Sequence, residues 1–286
     1  MLVTLKKILE IAEEKKIAVG AFNAVSLASL KAVIGAAEET GQPVILQFAQ
    51  CHEPYNSVED VGPLMLKYAE RASVPVCLHL DHGEDLAYLK KALDLGFTGI
   101  MIDASVLPYE QNVDLSAKAV EMAAPYGASV EAELGSMGRR ESGDGAPTGV
   151  DDETKIYTDP AQAAGFVRET GIDALACSFG TTHGIYLKKP RLDFGVVSSV
   201  REITGGMPIV MHGGSGVSSD DFRKAIAAGV RKINYFTYMD RAGAQKVSEI
   251  LASGIPANPL FIDLTAEAEK AMKENVKEAI ACFSGL

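Results

Sequence analysis

Short apolar runs punctuated by turns recur at 17–23, 44–49, 75–81, 98–103, 128–133, 173–179, 208–212 and 231–236, and helical patterns lie between most of them. From Lys7 to Glu14, Ser26 to Thr40, Val58 to Ala72, Leu86 to Leu95 and Val113 to Tyr126, apolar residues return at three- and four-residue steps, the period of an amphipathic helix. Asp159-Pro160 reads as an N-cap followed by proline at the first helical position, opening a helix through Thr170. Ser218 to Gly229 starts with Ser and Asp residues suited to a capped, acidic first turn. Strands buried on both faces need not alternate, so continuous apolar runs separated by helices predict a parallel sheet. The pattern predicts an α/β protein, a single (β/α)8 TIM barrel over residues 1–286 with a C-terminal helical segment at 266–282. A doubly wound open sheet competes. The eight units, and the lack of a Gly-x-Gly-x-x-Gly turn after the first run, weigh against it.

Barrel chemistry is built at the C-terminal ends of the strands, and that is where the histidines fall. His82 closes the third run, His183 follows the sixth in Gly180-Thr181-Thr182-His183-Gly184, and His212 ends the seventh. Three neutral imidazoles with one open position describe a catalytic zinc site. Asp81 lies beside the first of them, Asp103 ends the fourth run, and Glu131 and Glu133 end the fifth, where alternation faces both the same way. His79 reads as a core or supporting histidine, and His52 equally as a surface residue or a substrate contact. The loops after the last two runs read Gly213-Gly214-Ser215-Gly216 and Asn234-Tyr235-Phe236-Thr237. Backbone N–H groups in such turns, with the dipole of a following helix, suit a phosphate. From 136 to 157 the chain is polar, glycine-rich and without periodicity, which predicts a mobile lid beside the metal carrying an acid or base.

Composition narrows the partners. A net charge of -11 argues against nucleic acid, because no broad basic face is available to neutralise phosphates. Any anionic substrate must then be held by local donors. No apolar stretch is long enough to span a bilayer, and Lys6 and Lys7 break any signal-peptide pattern, so a cytoplasmic location with no membrane partner is expected. The four cysteines show no CxxC pairing, and Cys77 and Cys177 fall inside apolar runs as small hydrophobes.

His79-Leu80-Asp81-His82, Val130-Glu131-Ala132-Glu133-Leu134-Gly135, Gly180-Thr181-Thr182-His183-Gly184 and His212-Gly213-Gly214-Ser215-Gly216 together resemble the class II, metal-dependent ketose-bisphosphate aldolases. That group contains the fructose-1,6-bisphosphate and tagatose-1,6-bisphosphate aldolases, and the similarity runs from Gly20 to Asn234. The resemblance implies that His82, His183 and His212 bind Zn2+, with Co2+ or Fe2+ as substitutes and a monovalent cation as a further candidate cofactor. It implies that Asp81 exchanges a proton with the C4 oxygen and that Glu141, in the lid, is a second acid/base. Asp103 and Glu133 match an alternative or second metal position. Gly184, Gly213, Gly214, Ser215 and Thr237 match the phosphate cradle, and Asn23 and Asn234 match residues that hold the sugar backbone. A homodimer or homotetramer acting on a phosphorylated sugar is implied.

The chemistry agrees with this reading. Breaking the C3–C4 bond of a ketose leaves carbanion charge beside a carbonyl, which a metal can spread as an enediolate. A lysine Schiff base is the other solution. Lys232, read as lying at the N-terminal end of the last run and so on the wrong rim, disfavours it. Two departures leave the aldehyde half of the substrate open. Tyr235 and Phe236 replace the usual small or aliphatic residues of the last motif, so contacts near the ketose carbons are expected to differ. The second run continues Gln47-Phe48-Ala49-Gln50-Cys51-His52-Glu53 without the serine many members carry there. The expectation is reversible cleavage to dihydroxyacetone phosphate and an aldehyde. The alternatives are a ketose 1-phosphate lacking the distal phosphate, a catalytically silent sugar-phosphate binder, and a metal-dependent hydrolase or isomerase, which the phosphate cradle disfavours.

Overall fold

A computed structural model describes residues 1–135, 157–182 and 190–286. The strands are β1 (Leu2–Val3), β2 (Val19–Asn23), β3 (Val44–Ala49), β4 (Val76–Gly83), β5 (Gly99–Ile102), β6 (Ser129–Leu134), β7 (Ala174–Cys177), β8 (Ile209–Met211) and β9 (Val230–Asn234). Their helices are α1 (Leu5–Lys15), α2 (Leu27–Thr40), α3 (Val58–Arg71), α4 (Leu86–Asp94), α5 (Tyr109–Ala123), α6 (Pro160–Thr170), α7 (Phe194–Ile203), α8 (Ser219–Ala228), α9 (Thr237–Ser253) and α10 (Phe261–Ser284). All pairings are parallel, and β4 pairs with β5 to close β2 through β9 into an eight-stranded barrel. This is the (β/α)8 barrel that the alternation predicts. Sequence reading missed β1, which is too short to show a pattern and pairs with the start of β4.

Local chemistry explains the helix boundaries. Ser26 caps α2 in a capping box with Ser29, Ser57 caps α3 over Glu59 and Asp60, and Ser218 caps α8 over Asp220 and Asp221. Asp159 accepts from the Ala161 N–H with Pro160 at the first position of α6, as expected. The final helix is longer than the 266–282 pattern, because its first turn exposes Phe261 and Ile262 and so lacks an apolar stripe. It packs along α2 and α9, with Lys273 and Lys277 paired to Glu39 and Lys31 to Glu269.

Two apolar regions flank the barrel wall. The larger fills the space between the outward strand faces and the helices, with Phe22, Phe48, Leu78, Leu80, Ile100 and Phe166 among its members. The smaller seals the N-terminal mouth, where Leu5, Ile8, Leu9 and Ala12 of α1 meet Val19, Ile45, Cys77 and Val210. One stripe of α1 therefore plugs the barrel from below. On its other side Glu13 accepts from Arg231 Nε of β9 at 2.6 Å and also pairs with Arg201 of α7 and Lys16. Cys77 and Cys177 are buried free thiols, as their positions in the runs imply.

Burial opposes the charge on Glu13, but hydrogen bonds from Arg231 and Lys16 and the charge of Arg201 overcome it and pull the carboxyl down to about 2. A carboxyl lowered on folding stabilises above its unfolded value, near 4.5, and loses that contribution as pH falls through 2. Glu13→Gln is expected to lower stability at pH 7 by about 1–2 kcal/mol, since Arg231 is left buried without its charged partner. In urea unfolding the gap between variant and parent should narrow between pH 4.5 and 2. A gap that is constant with pH would remove the ion pairs as its cause.

Candidate active site

Inward side chains rise through the barrel in steps of two residues and stack in layers. Above the apolar plug lies a layer containing His79 of β4, Glu131 of β6 and Lys232 of β9, all fully buried. Lys232 donates to Glu131 Oε2 at 2.8 Å. It is thus not a rim residue, as its sequence position implied; it is third of five in its strand and points into the barrel interior. Burial opposes the charge on Glu131, but Lys232 and the hydrogen bond from His212 pull it down to about 2. His79 Nε2 lies 3.5 Å from Glu131 Oε2, and burial, then Lys232, hold its imidazole down at about 3. Gly99 makes room for that ring, since a Cβ there would stand 2.7 Å from His79 Nδ1.

The next layer is the top of the barrel. Asp81 is 2% exposed and accepts three side-chain amides. Asn23 Nδ2 and Gln47 Nε2 reach Oδ2 at 3.2 and 3.1 Å, and Asn234 Nδ2 reaches Oδ1 at 2.9 Å. Burial opposes ionisation, but His82 and Lys232 outweigh it and hold the carboxyl well below the usual carboxylate range. The side-chain amide oxygens of Asn23, Gln47 and Asn234 are buried with no partner among the described residues. Three acceptors grouped around a carboxylate suit a ligand rich in hydroxyl groups. Gln47 was missed as a site residue, although a lone amide inside Val44-Ile45-Leu46-Gln47-Phe48-Ala49 was a readable signal.

In a regular strand, adjacent Asp81 and His82 would face opposite sides. His82 instead adopts φ 47°, and the pairing of β4 with β5 slips between Leu80 and Gly83. This kink swings the imidazole back over the barrel. Its Nδ1 bonds Asp103 Oδ2 at 2.8 Å, and its Nε2 lies 2.9 Å from His212 Nδ1. Burial opposes charge on His82, but Asp81 and Asp103 outweigh it and push the ring up to about 10. His212 Nε2 bonds Glu131 Oε1 at 2.8 Å. Glu133 faces the same way as Glu131, as alternation predicts, with Oε2 3.9 Å from His212 Nδ1. Burial and the nearby Asp103 push Glu133 up to about 8.

Ligand atoms of Asp81, His82 and His212 lie within 4.8 Å of one another, as do those of His82, Asp103 and Glu133. The donor set, nitrogen from two imidazoles with carboxylates alongside, fits a divalent transition metal. The structure therefore brings Asn23, Asp81, His82, Asp103, Glu133, His212 and Asn234 to one rim. His183, Gly184, Glu141 and all but Tyr157 of the 136–157 connection lie outside the described residues.

The glycine-rich loop lies beside β9. Gly213 needs its φ of 64°, and a Cβ there would stand 2.3 Å from the Thr182 carbonyl oxygen. The Gly214 N–H donates to the Asn234 carbonyl at 3.1 Å, so it binds the neighbouring strand instead of offering a free donor. Ser215 Oγ accepts from the Phe236 N–H at 3.3 Å. Thr237, expected in a loop, is the first residue of α9, whose N-terminus has no side-chain cap. Its first-turn N–H groups, without a side-chain cap among the described residues, and the buried Ser215 hydroxyl are groups of the kind that suit an anion. Tyr235 turns outward onto Phe22 and Phe283, contrary to the expectation that it alters contacts near the substrate. Phe236 stays at the rim, with its ring 4.7 Å from that of His52.

A closed barrel with paired imidazoles, a buried carboxylate and a helix N-terminus gathered at one rim has the layout of a barrel enzyme. The comparisons specify which. The class II fructose-bisphosphate aldolase family matches residues 3–285, and the chain belongs to that family; it is a class II aldolase, a carbon–carbon lyase. It is 41% identical over 283 residues to a probable fructose-bisphosphate aldolase of Bacillus subtilis, covering 96% of this chain and 95% of that one. The crystal structure of the YdjI aldolase of Escherichia coli K12 superimposes with a TM-score of 0.87 at 36% identity, covering 99% of this chain and 97% of that one. The crystal structure of a putative fructose-1,6-biphosphate aldolase from Coccidioides immitis gives a TM-score of 0.84 at 29% identity, covering 98% of this chain and 95% of that one. Among the described residues no helix is long and apolar enough to cross a membrane.

Because a Cβ on Gly214 would stand 2.7 Å from the Asn234 carbonyl oxygen and 2.8 Å from Ile233, Gly214→Ala must push the loop off β9. A loss of about 1–3 kcal/mol in urea unfolding is expected. Parental stability in that variant would contradict this packing.

Proposed function

We propose that the protein catalyses metal-dependent, reversible aldol cleavage of a phosphorylated ketose, of the fructose or tagatose 1,6-bisphosphate type, to dihydroxyacetone phosphate and an aldehyde. The carrying observation is Asp81, a buried carboxylate fixed by three amides and set beside two imidazoles whose nitrogens face each other at 2.9 Å. His82 and His212, with His183, are the residues that hold the metal, Zn2+ by preference and Co2+ or Fe2+ as substitutes. Asp103 and Glu133 offer the alternative position through their shared contact with His82. When bound, the ion supplies a Lewis acid for the carbanion charge left as the C3–C4 bond breaks.

The remaining steps belong to the chain. Asp81, ionised in the resting site, takes the proton from the C4 hydroxyl as the bond opens and returns it in the condensation direction. Its three amides keep the carboxylate from turning away, and their free carbonyl oxygens accept from substrate hydroxyls. Ser215, the loop at Gly213 and Gly214, Gly184 and the α9 N-terminus at Thr237 hold the phosphate; Gly214 acts there by close backbone approach. Glu141 serves as the second acid/base. We take residues 1–286 as one domain, supported by α10 packing back on α2, and expect a cytoplasmic homodimer or homotetramer.

One observation favours a ketose 1-phosphate without a distal phosphate. His52 follows β3 and Phe236 follows β9, the two neighbours of β2, and their rings lie 4.7 Å apart, which puts aromatic surface on this side of the rim. Aromatic faces suit a carbon chain better than a second phosphate.

Metal-stripped protein should cleave nothing, and added zinc should restore dihydroxyacetone phosphate release from a panel of fructose and tagatose bisphosphates and ketose 1-phosphates. Bound zinc without cleavage of any sugar in the panel would sink the proposal. In the loaded enzyme Asp81→Asn should cut kcat by about 10²–10⁴-fold. A kcat within a few-fold of the parent would show that the proton is handled elsewhere.

A further inference from the structure

Beneath the rim, an ion pair sits where apolar side chains would pack. Glu131 and Lys232 are both fully buried, directly above a layer of Ile45, Cys77 and Val210. A buried pair of this kind is a poor source of stability, because removing both charges from water costs about as much as their attraction returns. Glu131 divides its two oxygens. Oε2 receives Lys232 Nζ at 2.8 Å, and Oε1 receives His212 Nε2 at 2.8 Å. An imidazole that donates through Nε2 keeps its lone pair on Nδ1, the nitrogen that faces His82 Nε2 at 2.9 Å.

We propose that Glu131 and Lys232 form a positioning pair for the metal site: Glu131 fixes the ring plane and tautomer of His212 so that Nδ1 is its ligand nitrogen, and Lys232 anchors Glu131 through its other oxygen. The pair acts through His212 and touches neither metal nor substrate. Carboxylates in this relation to a ligating histidine set its orientation and strengthen it as a donor. Glu133 cannot take the part, since it approaches His212 from the Nδ1 side at 3.9 Å. His79 cannot replace Lys232, because its ring stands 3.5 Å from the same oxygen and is neutral. The inference rests on the divalent-metal reading above.

The test uses metal-stripped full-length protein, with zinc affinity measured by competition against a chromophoric chelator and site geometry by the visible spectrum of the cobalt form. Glu131→Gln, Lys232→Met and the double variant are compared with the parent. The double variant carries no orphaned charge, so its folding, checked by urea unfolding, is not burdened by a buried unpaired ammonium. Glu131→Gln is expected to weaken zinc binding by about 10–100-fold and to shift the cobalt bands. The double variant should bind within a few-fold of Glu131→Gln, because both changes remove one unit. A folded double variant with parental zinc affinity and cobalt spectrum would overturn the proposal. Histidine-nitrogen NMR of the zinc-loaded parent tests it without substitution: the Nε2–H form of His212 is expected, and the Nδ1–H form overturns it. If the parent binds neither zinc nor cobalt, the metal reading itself falls, and with it the role of the pair.

Discussion

The site depends on one strained residue. Consecutive strand residues face opposite sides, yet Asp81 and His82 both reach the barrel interior. The left-handed backbone at His82 and the slipped register after Leu80 achieve this. Such a conformation costs on the order of 1–3 kcal/mol in a non-glycine residue. The Asp103 carboxylate offsets part of that cost by holding His82 Nδ1 at 2.8 Å. Asp103 is therefore tied to the site even when it is not itself a ligand. The same kink turns His82 Nε2 toward His212, and without it the two imidazoles would lie on opposite sides of the barrel wall.

The barrel interior carries this geometry on three tiers with different chemistry. The α1 plug and its partners are apolar and give the wall a floor. The middle tier is ionic, and its charges are compensated within a few ångströms, with Glu131 between Lys232 and His212. The top tier is polar and left partly unsatisfied, with three amide oxygens and one Glu133 oxygen lacking partners among the described residues. Buried polar atoms are normally paired; the ring nitrogens of His79 below and Asn275 Oδ1 on α10 also lack hydrogen-bond partners among the described residues, but the amide oxygens around Asp81 stand at the open end, where a ligand can complete them. Rigidity below and unmet demand above are what a site with preset geometry needs.

The wall was legible because its signal is repetitive. Runs such as 44–49 and 128–133 are bounded by helices whose period and caps can be read one residue at a time, and the structure places them within a residue or two. His82, His212 and Asp81 were legible because strand ends are where such residues converge. What sequence could not convey was facing. Nothing in Leu80-Asp81-His82-Gly83 announces a kink, and nothing in Val230-Arg231-Lys232-Ile233-Asn234 says that Lys232 points inward at mid-height while Tyr235 leaves the site. Those facts follow from register and shear between strands distant in sequence. Glu131 and Lys232, 101 positions apart, meet only because the barrel closes.

The two halves of the rim hold charge differently, and the net charge of -11 explains why this matters. A protein this acidic repels an anion at long range, so a phosphate must be held by donors acting at contact. At the β8 and β9 ends the Ser215 hydroxyl and the first turn of α9 are groups of that kind. On the β2 and β3 side the approach is walled by His52 and Phe236, with Tyr55 beyond them. Asp240, one turn into α9, interacts with His52 there and adds negative charge to the same side. The rim thus has a donor-bearing end at β8 and β9 and an aromatic, acidic end at β2 and β3. Asp81 lies between those ends, held by Asn23 and Gln47 from one side and Asn234 from the other. Among the described residues, this is the tier where a fixed carboxylate and the facing imidazoles of His82 and His212 share one opening.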